Sequence, residues 1–235
     1  MPTVVFLHGA GMGGWMWRPQ VEALSQFRCL TPDLPGHGGA VPWTTLRDAA
    51  AWVAGFIARE APGGHAHVVG LSLGAVIGYE LLTAFPDSVD RLVLSGGMGM
   101  GRPGRTFLGR LMRVSMPLVK NRLVVKATLS AMRVPAADRG LAYGAMTRKS
   151  PDVLADMVDE VLAYHVDEIL RTRPHRVLAV AGSLEVAAIR TTVRWLGEMM
   201  PAGETAIVPR GLHTWNWQYP ELFNRIVADW LSRDA

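Results

Sequence analysis

Residues 70–74 read Gly-Leu-Ser-Leu-Gly, behind the strand-like run Ala66-His67-Val68-Val69 and ahead of helix formers that include Ala75, Val76, Ile77, Leu81 and Leu82. A strand that turns abruptly into a helix with serine at the apex has few ways to fold. The turn forces the serine into a strained backbone region and lifts its hydroxyl clear of the sheet. The flanking Gly70 and Gly74 leave room for the helix to pass close to neighbouring backbone, and Gly78 extends that close approach by one turn. Ser72 is therefore the candidate reactive group, and its partners must come from elsewhere in the chain.

A chain of 235 residues can bury a large core and needs no second domain. It contains no run of about eighteen apolar residues to span a bilayer. Its first residues lack the charged, apolar and small-residue regions of a secretory signal. A single cysteine, Cys29, excludes an internal disulfide and fits a reducing compartment. The expectation is a soluble, cytoplasmic protein with Cys29 as a small buried side chain. The net charge of +4 is uneven, because residues 98–150 carry eleven Lys or Arg and one acid, Asp138. These cations are spaced along apolar helical sequence with no nucleic-acid motif and no stacking aromatics, so no nucleic acid is expected as a partner. A solvated helix face is the favoured reading, and an anionic membrane surface or an anionic substrate is the alternative.

The pattern alternates strands with helices, as a parallel sheet with crossover helices requires. Strands are predicted at residues 3–7, 28–31, 66–71, 91–95, 176–181 and 204–208, and helices at 17–25, 46–59, 73–85, 187–200 and 220–232. The class is α/β, with about six mostly parallel strands flanked by helices. Between the fourth and fifth strands the rhythm breaks. Helical periodicity appears at residues 105–119, 122–132, 136–147 and 151–171, the last opened by Ser150 as cap and Pro151 in the first turn. The expected organisation is a core of residues 1–97 and 173–235 with a helical lid, residues 98–172, inserted at the carboxyl side of the sheet.

Four further segments, with the Ser72 turn, resemble the α/β-hydrolase superfamily in its compact, lidded serine-esterase form, over nearly the whole chain. They are His8-Gly9-Ala10-Gly11-Met12-Gly13-Gly14-Trp15, Asp33-Leu34-Pro35-Gly36-His37-Gly38, Ala181-Gly182-Ser183-Leu184-Glu185-Val186 and Gly211-Leu212-His213-Thr214-Trp215. The resemblance implies that the backbone amides of Ala10 and Leu73 form an oxyanion hole, ready for the charge of a tetrahedral intermediate. It makes His8 structural, and Asp33 a residue that bonds local backbone. The chain order serine, acid, histidine assigns the base to His213, alone among seven histidines in that loop. Glu185 stands where many relatives carry the triad aspartate; the other reading of Glu185 is a cap on the following helix, favoured by its dipole. Met98 and Met100 occupy the place where some relatives put the acid, and neither can serve. A serine nucleophile also sets the chain apart from dehalogenases and epoxide hydrolases of this fold, which use aspartate.

The chemistry implied is acyl transfer to water with no metal and no organic cofactor. Trp15, Met98 and Trp215 are expected to line the substrate site, with Trp17, Met100 and Trp217 near it. Apolar, adaptable walls suit a small hydrophobic, ester-like substrate. Carbon–carbon bond hydrolysis, thioester or lactone hydrolysis, and cyanohydrin cleavage run on the same triad. Cyanohydrin cleavage ranks low because Lys120, Lys126 and Lys149 all fall in the lid. A small-molecule receptor that retains the triad is the non-enzymatic alternative. The chain is read as a monomer or a homodimer.

Overall fold

The computed structural model describes residues 1–101, 121–148 and 150–233. Its strands are β1 (Thr3–Leu7), β2 (Arg28–Leu30), β3 (Ala66–Leu71), β4 (Val89–Ser95), β5 (Arg176–Gly182) and β6 (Gly203–Val208), in one sheet of order β2-β1-β3-β4-β5-β6. All pairings are parallel, with Val5 opposite Leu30 and Val68, Leu7 opposite Gly70, and Ser95 opposite Val180. Parallel strands covered on both faces read as continuous apolar runs, which is why TVVFL is buried at every position. Val5, Leu7, Val68 and Leu94 face one core, while Val4, Phe6, Val69 and Val93 face the other. Each fully buried large apolar side chain contributes about 1.5–3 kcal/mol.

The helices of the core are α1 (Arg18–Ala23), α2 (Leu46–Glu60) and α3 (Leu73–Ala84). In the segment between β4 and β5 lie α4 (Arg122–Ala131), α5 (Arg139–Arg148) and α6 (Pro151–Ala163). After β5 come α7 (Ala187–Met199), the single turn α8 (Trp215–Gln218) and α9 (Pro220–Leu231). Helices α2, α3 and α7 pack on the first core through Val53, Ile57, Val76, Ile77, Val193 and Leu196. Phe223, Val227 and Trp230 of α9 pack on the second. The strand order reverses at β1: the chain steps outward to β2 and then returns to β3 on the other side. The loops leaving β1 and β3 therefore diverge at a switch point, where parallel sheets open a crevice.

Several expectations shift in detail. The first predicted helix is a 3-10 turn, Gly14–Trp17, running into the short α1. Residues 105–119 lie outside the described residues. The helix expected over 151–171 stops at Ala163, where Tyr164 turns extended (φ −62°, ψ 132°). The chain leaves the helix there to seat buried Val166, whose N–H donates to Gly99 O at 2.8 Å. Ser150 stands at the cap of α6 without a side-chain capping bond. Cys29 is half-buried rather than buried, and partial burial pushes its thiol pKa up. Among the described residues no helix is long and apolar enough to cross a membrane.

Candidate active site

Ser72 caps α3 with φ 57° and ψ −113°, a conformation that a residue with a Cβ rarely adopts. Both ends of the turn hold it there. Its N–H donates to Ser95 O at 2.8 Å, and its own carbonyl accepts the N–H groups of Ala75 and Val76 as α3 begins. The glycines are required by space. A Cβ on Gly70 would lie 2.4 Å from Gly74 O, and one on Gly74 would lie 2.1 Å from Leu7 O. A Cβ on Gly78 would first meet the Leu94 side chain, at 2.4 Å. The helix thus presses directly against β1 and β3, and the serine is wedged up between them.

The β1 loop is anchored by two imidazoles. His8 is fully buried; its Nε2 accepts the Leu34 N–H at 3.0 Å, and its Nδ1 donates to Gly9 O at 2.9 Å. His37 Nε2 accepts the Gly11 N–H at 3.1 Å, and its Nδ1 donates to Pro35 O at 3.1 Å. With Nδ1–H donating and Nε2 accepting, both rings serve as neutral braces that fix the loop around Ala10. Asp33 does not bond its own turn as expected. Its Oδ1 accepts the N–H of Gly14, in the loop after β1, at 2.8 Å, and a Cβ on Gly38 would lie 1.9 Å from its Oδ2. Leu73 is the first residue of α3, where an N–H has no partner within the helix.

Glu185 follows β5 and is buried, and its side chain is 1% exposed. Its Oε2 accepts the Gly182 N–H at 2.7 Å, and its Oε1 accepts the proton on His213 Nδ1. The carboxylate therefore joins the histidine and its own loop and does not cap α7, whose cap position is Val186. The two loops are locked together. Leu184 N–H donates to Gly211 O at 3.0 Å and Arg210 N–H to Ser183 Oγ at 2.8 Å, while within the histidine loop Leu212 N–H donates to Gln218 Oε1 at 2.8 Å. A Cβ on Gly182 would sit 2.2 Å from Gly211 O, so the close approach of the loops depends on that glycine.

A cavity of about 490 Å³ gathers Ala10, Ser72, Leu73, Met98, Glu185 and His213, with walls from Val158, Val161 and Leu162 of α6 and Ile189 of α7. Trp15 lies instead on a separate cavity of about 590 Å³ with Met12 and Trp43, and stacks on Trp217 at 6.3 Å. Trp215 lines neither. It is fully buried in the second core, and its Nε1 donates to Ser95 Oγ at 2.8 Å. Trp215 is a strut beneath the site and not one of the walls expected from its place beside the histidine loop. Lys126 lines a third cavity, away from Ser72.

Two contributors escaped the sequence reading. Gly96 (φ 67°) closes the site from below: a Cβ there would lie 2.9 Å from both Glu185 Oε1 and His213 Cε1. The Gly96-Gly97 pair directly after a strand was the available signal. Tyr79 is wholly buried with its hydroxyl beneath Gly97, and burial, followed by the Glu185 charge, pushes its pKa far above the ordinary range. Among the described residues no group of three or more His, Cys, Asp or Glu is placed to hold a metal ion.

A model of the alpha/beta hydrolase family matches residues 4–232. The chain is 28% identical over 248 aligned positions to a protein of Caulobacter sp. (strain K31) that bears the name carbamate hydrolase RutD, covering 99% of this chain and 91% of that one. It is 25% identical over 244 positions to the pimeloyl-[acyl-carrier protein] methyl ester esterase of Aeromonas hydrophila subsp. hydrophila, covering 98% and 96%. The enol-lactonase from Burkholderia xenovorans LB400 superposes with a TM-score of 0.82 at 21% identity, over 99% of this chain and 92% of that one. The chain belongs to the alpha/beta hydrolase family and is an enzyme of that family.

Proposed function

We propose that this enzyme is a serine hydrolase that cleaves a carboxylic ester, or a related acyl bond, of a small hydrophobic substrate through Ser72, His213 and Glu185. One observation carries the reading: a serine in a strained turn shares an apolar cavity with a histidine whose Nδ1 is bound to a buried carboxylate. Glu185 holds Nδ1, which leaves Nε2 to take the Ser72 proton as Oγ attacks the carbonyl carbon. The N–H groups of Ala10 and Leu73 receive the oxyanion, a contribution commonly of about 3–4 kcal/mol per donor. As the tetrahedral intermediate collapses, Nε2 returns the proton to the leaving alcohol. Water then repeats the sequence on the acyl-enzyme and frees the acid.

Met98 and α6 act as a lid, since they supply walls of the cavity. The relatives' names include an ester, a lactone and a carbamate as bonds acted upon, and all three are opened by the same attack on a carbonyl. Initial rates on p-nitrophenyl esters, measured beside Ser72→Ala, test the reading. Turnover that vanishes in the variant supports it. Equal rates in both proteins overturn general ester cleavage and favour carbon–carbon bond hydrolysis or a narrow natural substrate.

A further inference from the structure

The turn that carries Glu185 splits its side chains between inside and outside. Glu185 points inward, while its two neighbours, Leu184 and Val186, are 63% and 61% exposed. Both also line the cavity that contains Ser72 and His213, so they form part of its mouth. A lone exposed leucine needs no explanation. Two large apolar groups on one rim are different when they continue the wall made by Met98, Val161, Leu162 and Ile189. Together they make an apolar track from the serine to solvent.

The backbone beneath the rim is pinned. Ser183 N–H donates to Val208 O at 2.9 Å, Leu184 N–H to Gly211 O at 3.0 Å and Glu185 N–H to Gly182 O at 3.1 Å. The Arg190 guanidinium donates to the carbonyls of Ser183 and Glu185. Leu184 and Val186 cannot fold inward by a backbone shift without dragging the Glu185 carboxylate from His213. Their exposed surface leaves water only when something apolar is laid across it.

We propose that Leu184 and Val186 form an acyl-tail subsite, and that the preferred substrates are esters of linear hydrocarbon acids long enough to leave the cavity and cross this rim. The inference rests on the serine-hydrolase reading above and names the substrate class for that same site. The occupant is the substrate because the track is continuous with the cavity at Ser72 and is not an isolated surface patch. A short acyl group leaves the rim wet. A long one covers it far from the reacting carbonyl, equally in ground and transition states, so the gain appears in KM more than in kcat.

The experiment compares kcat/KM on p-nitrophenyl acetate, butyrate, octanoate and decanoate for the full chain and for the Leu184→Gln, Val186→Gln double variant. Both positions face solvent, so the variant keeps the fold, which circular dichroism checks. The expected result is a wild-type preference that rises with acyl length, and a decanoate-to-acetate ratio that falls about tenfold in the variant, carried by KM. A tenfold change is about 1.4 kcal/mol. A wild-type profile that is flat or falls with length overturns the proposal, as does an unchanged ratio in the variant, which would assign the rim to a partner protein or to no ligand. Hydrolysis of acetate without length dependence removes the subsite and leaves the hydrolase standing. No Ser72-dependent hydrolysis of any ester removes both.

Discussion

Glu160 of α6 accepts the N–H of Leu46 at 2.6 Å, so a carboxylate from the segment between β4 and β5 caps the first turn of a core helix. The same turn is capped by Thr45, whose Oγ1 accepts the Asp48 N–H at 3.1 Å. Burial, above all other influences, raises the Glu160 pKa. Raised in the fold relative to the unfolded chain, this carboxyl favours folding fully only below the ordinary glutamate range, and that share of stability is lost as pH rises through the folded value. Glu160→Gln keeps an acceptor for Leu46 without the charge. It should raise Tm at pH 7, with the gain shrinking toward pH 4. Glu160→Ala loses the acceptor and should be about 1 kcal/mol less stable than the Gln variant. Thermal melts across that pH range give both comparisons.

The strain at Ser72 predicts a trade between stability and reaction. Ser72→Gly removes the Cβ at φ 57° and should stabilise the protein by about 1 kcal/mol while abolishing turnover. Ser72→Ala keeps the strain and should lose turnover without that gain. Urea midpoints and ester hydrolysis read the two effects separately. A Gly variant no more stable than the Ala variant would mean that the turn stores no strain.

Glu185 carries one methylene more than an aspartate would, and its geometry predicts how much that matters. On the proposed mechanism, Glu185→Gln removes the charge that steadies the imidazolium and should lower kcat by roughly 10³–10⁴. Glu185→Asp keeps the charge, yet the shorter side chain cannot span both Gly182 N–H and His213 Nδ1. A kcat loss of roughly tenfold to a hundredfold, with KM little changed, is expected. Equal losses in the two variants would detach reach from charge as the reason for glutamate.

Spacing around the turn predicts an order among alanine substitutions. Gly74→Ala drives a methyl into the Leu7 carbonyl, which is fixed in the sheet, and should cost about 3 kcal/mol or more. Gly78→Ala meets a leucine side chain that can change rotamer, so about 1 kcal/mol is expected. Equilibrium unfolding of the two variants checks the ranking, and a Gly78 variant that is the weaker of the two would contradict it.

What was readable before the structure was whatever is written locally. Strand β3 carries its full run of buried residues in sequence, and the glycines at 70 and 74 announce the close approach that follows. The pairing of Glu185 with His213 was legible because both lie on short loops at strand ends. Trp215 was not, since its orientation is set by Ser95, 120 residues away. The same holds for Asp33, whose partner Gly14 belongs to another loop, and for the break after Ala163, which depends on the carbonyl of Gly99. Exposure of Leu184 and Val186 could not be foreseen either: apolar letters beside a strand normally mean core.

The place of the insertion has a consequence for descent. Ser72 precedes the segment between β4 and β5, and Glu185 and His213 follow it, while the walls contributed by Met98 and α6 lie within it. On the proposed mechanism, rewriting that segment would change which molecules are admitted and leave the bond-breaking atoms where they are. Part of the specificity could then change by drift in one continuous stretch of gene, with the proposed reaction carried along unaltered.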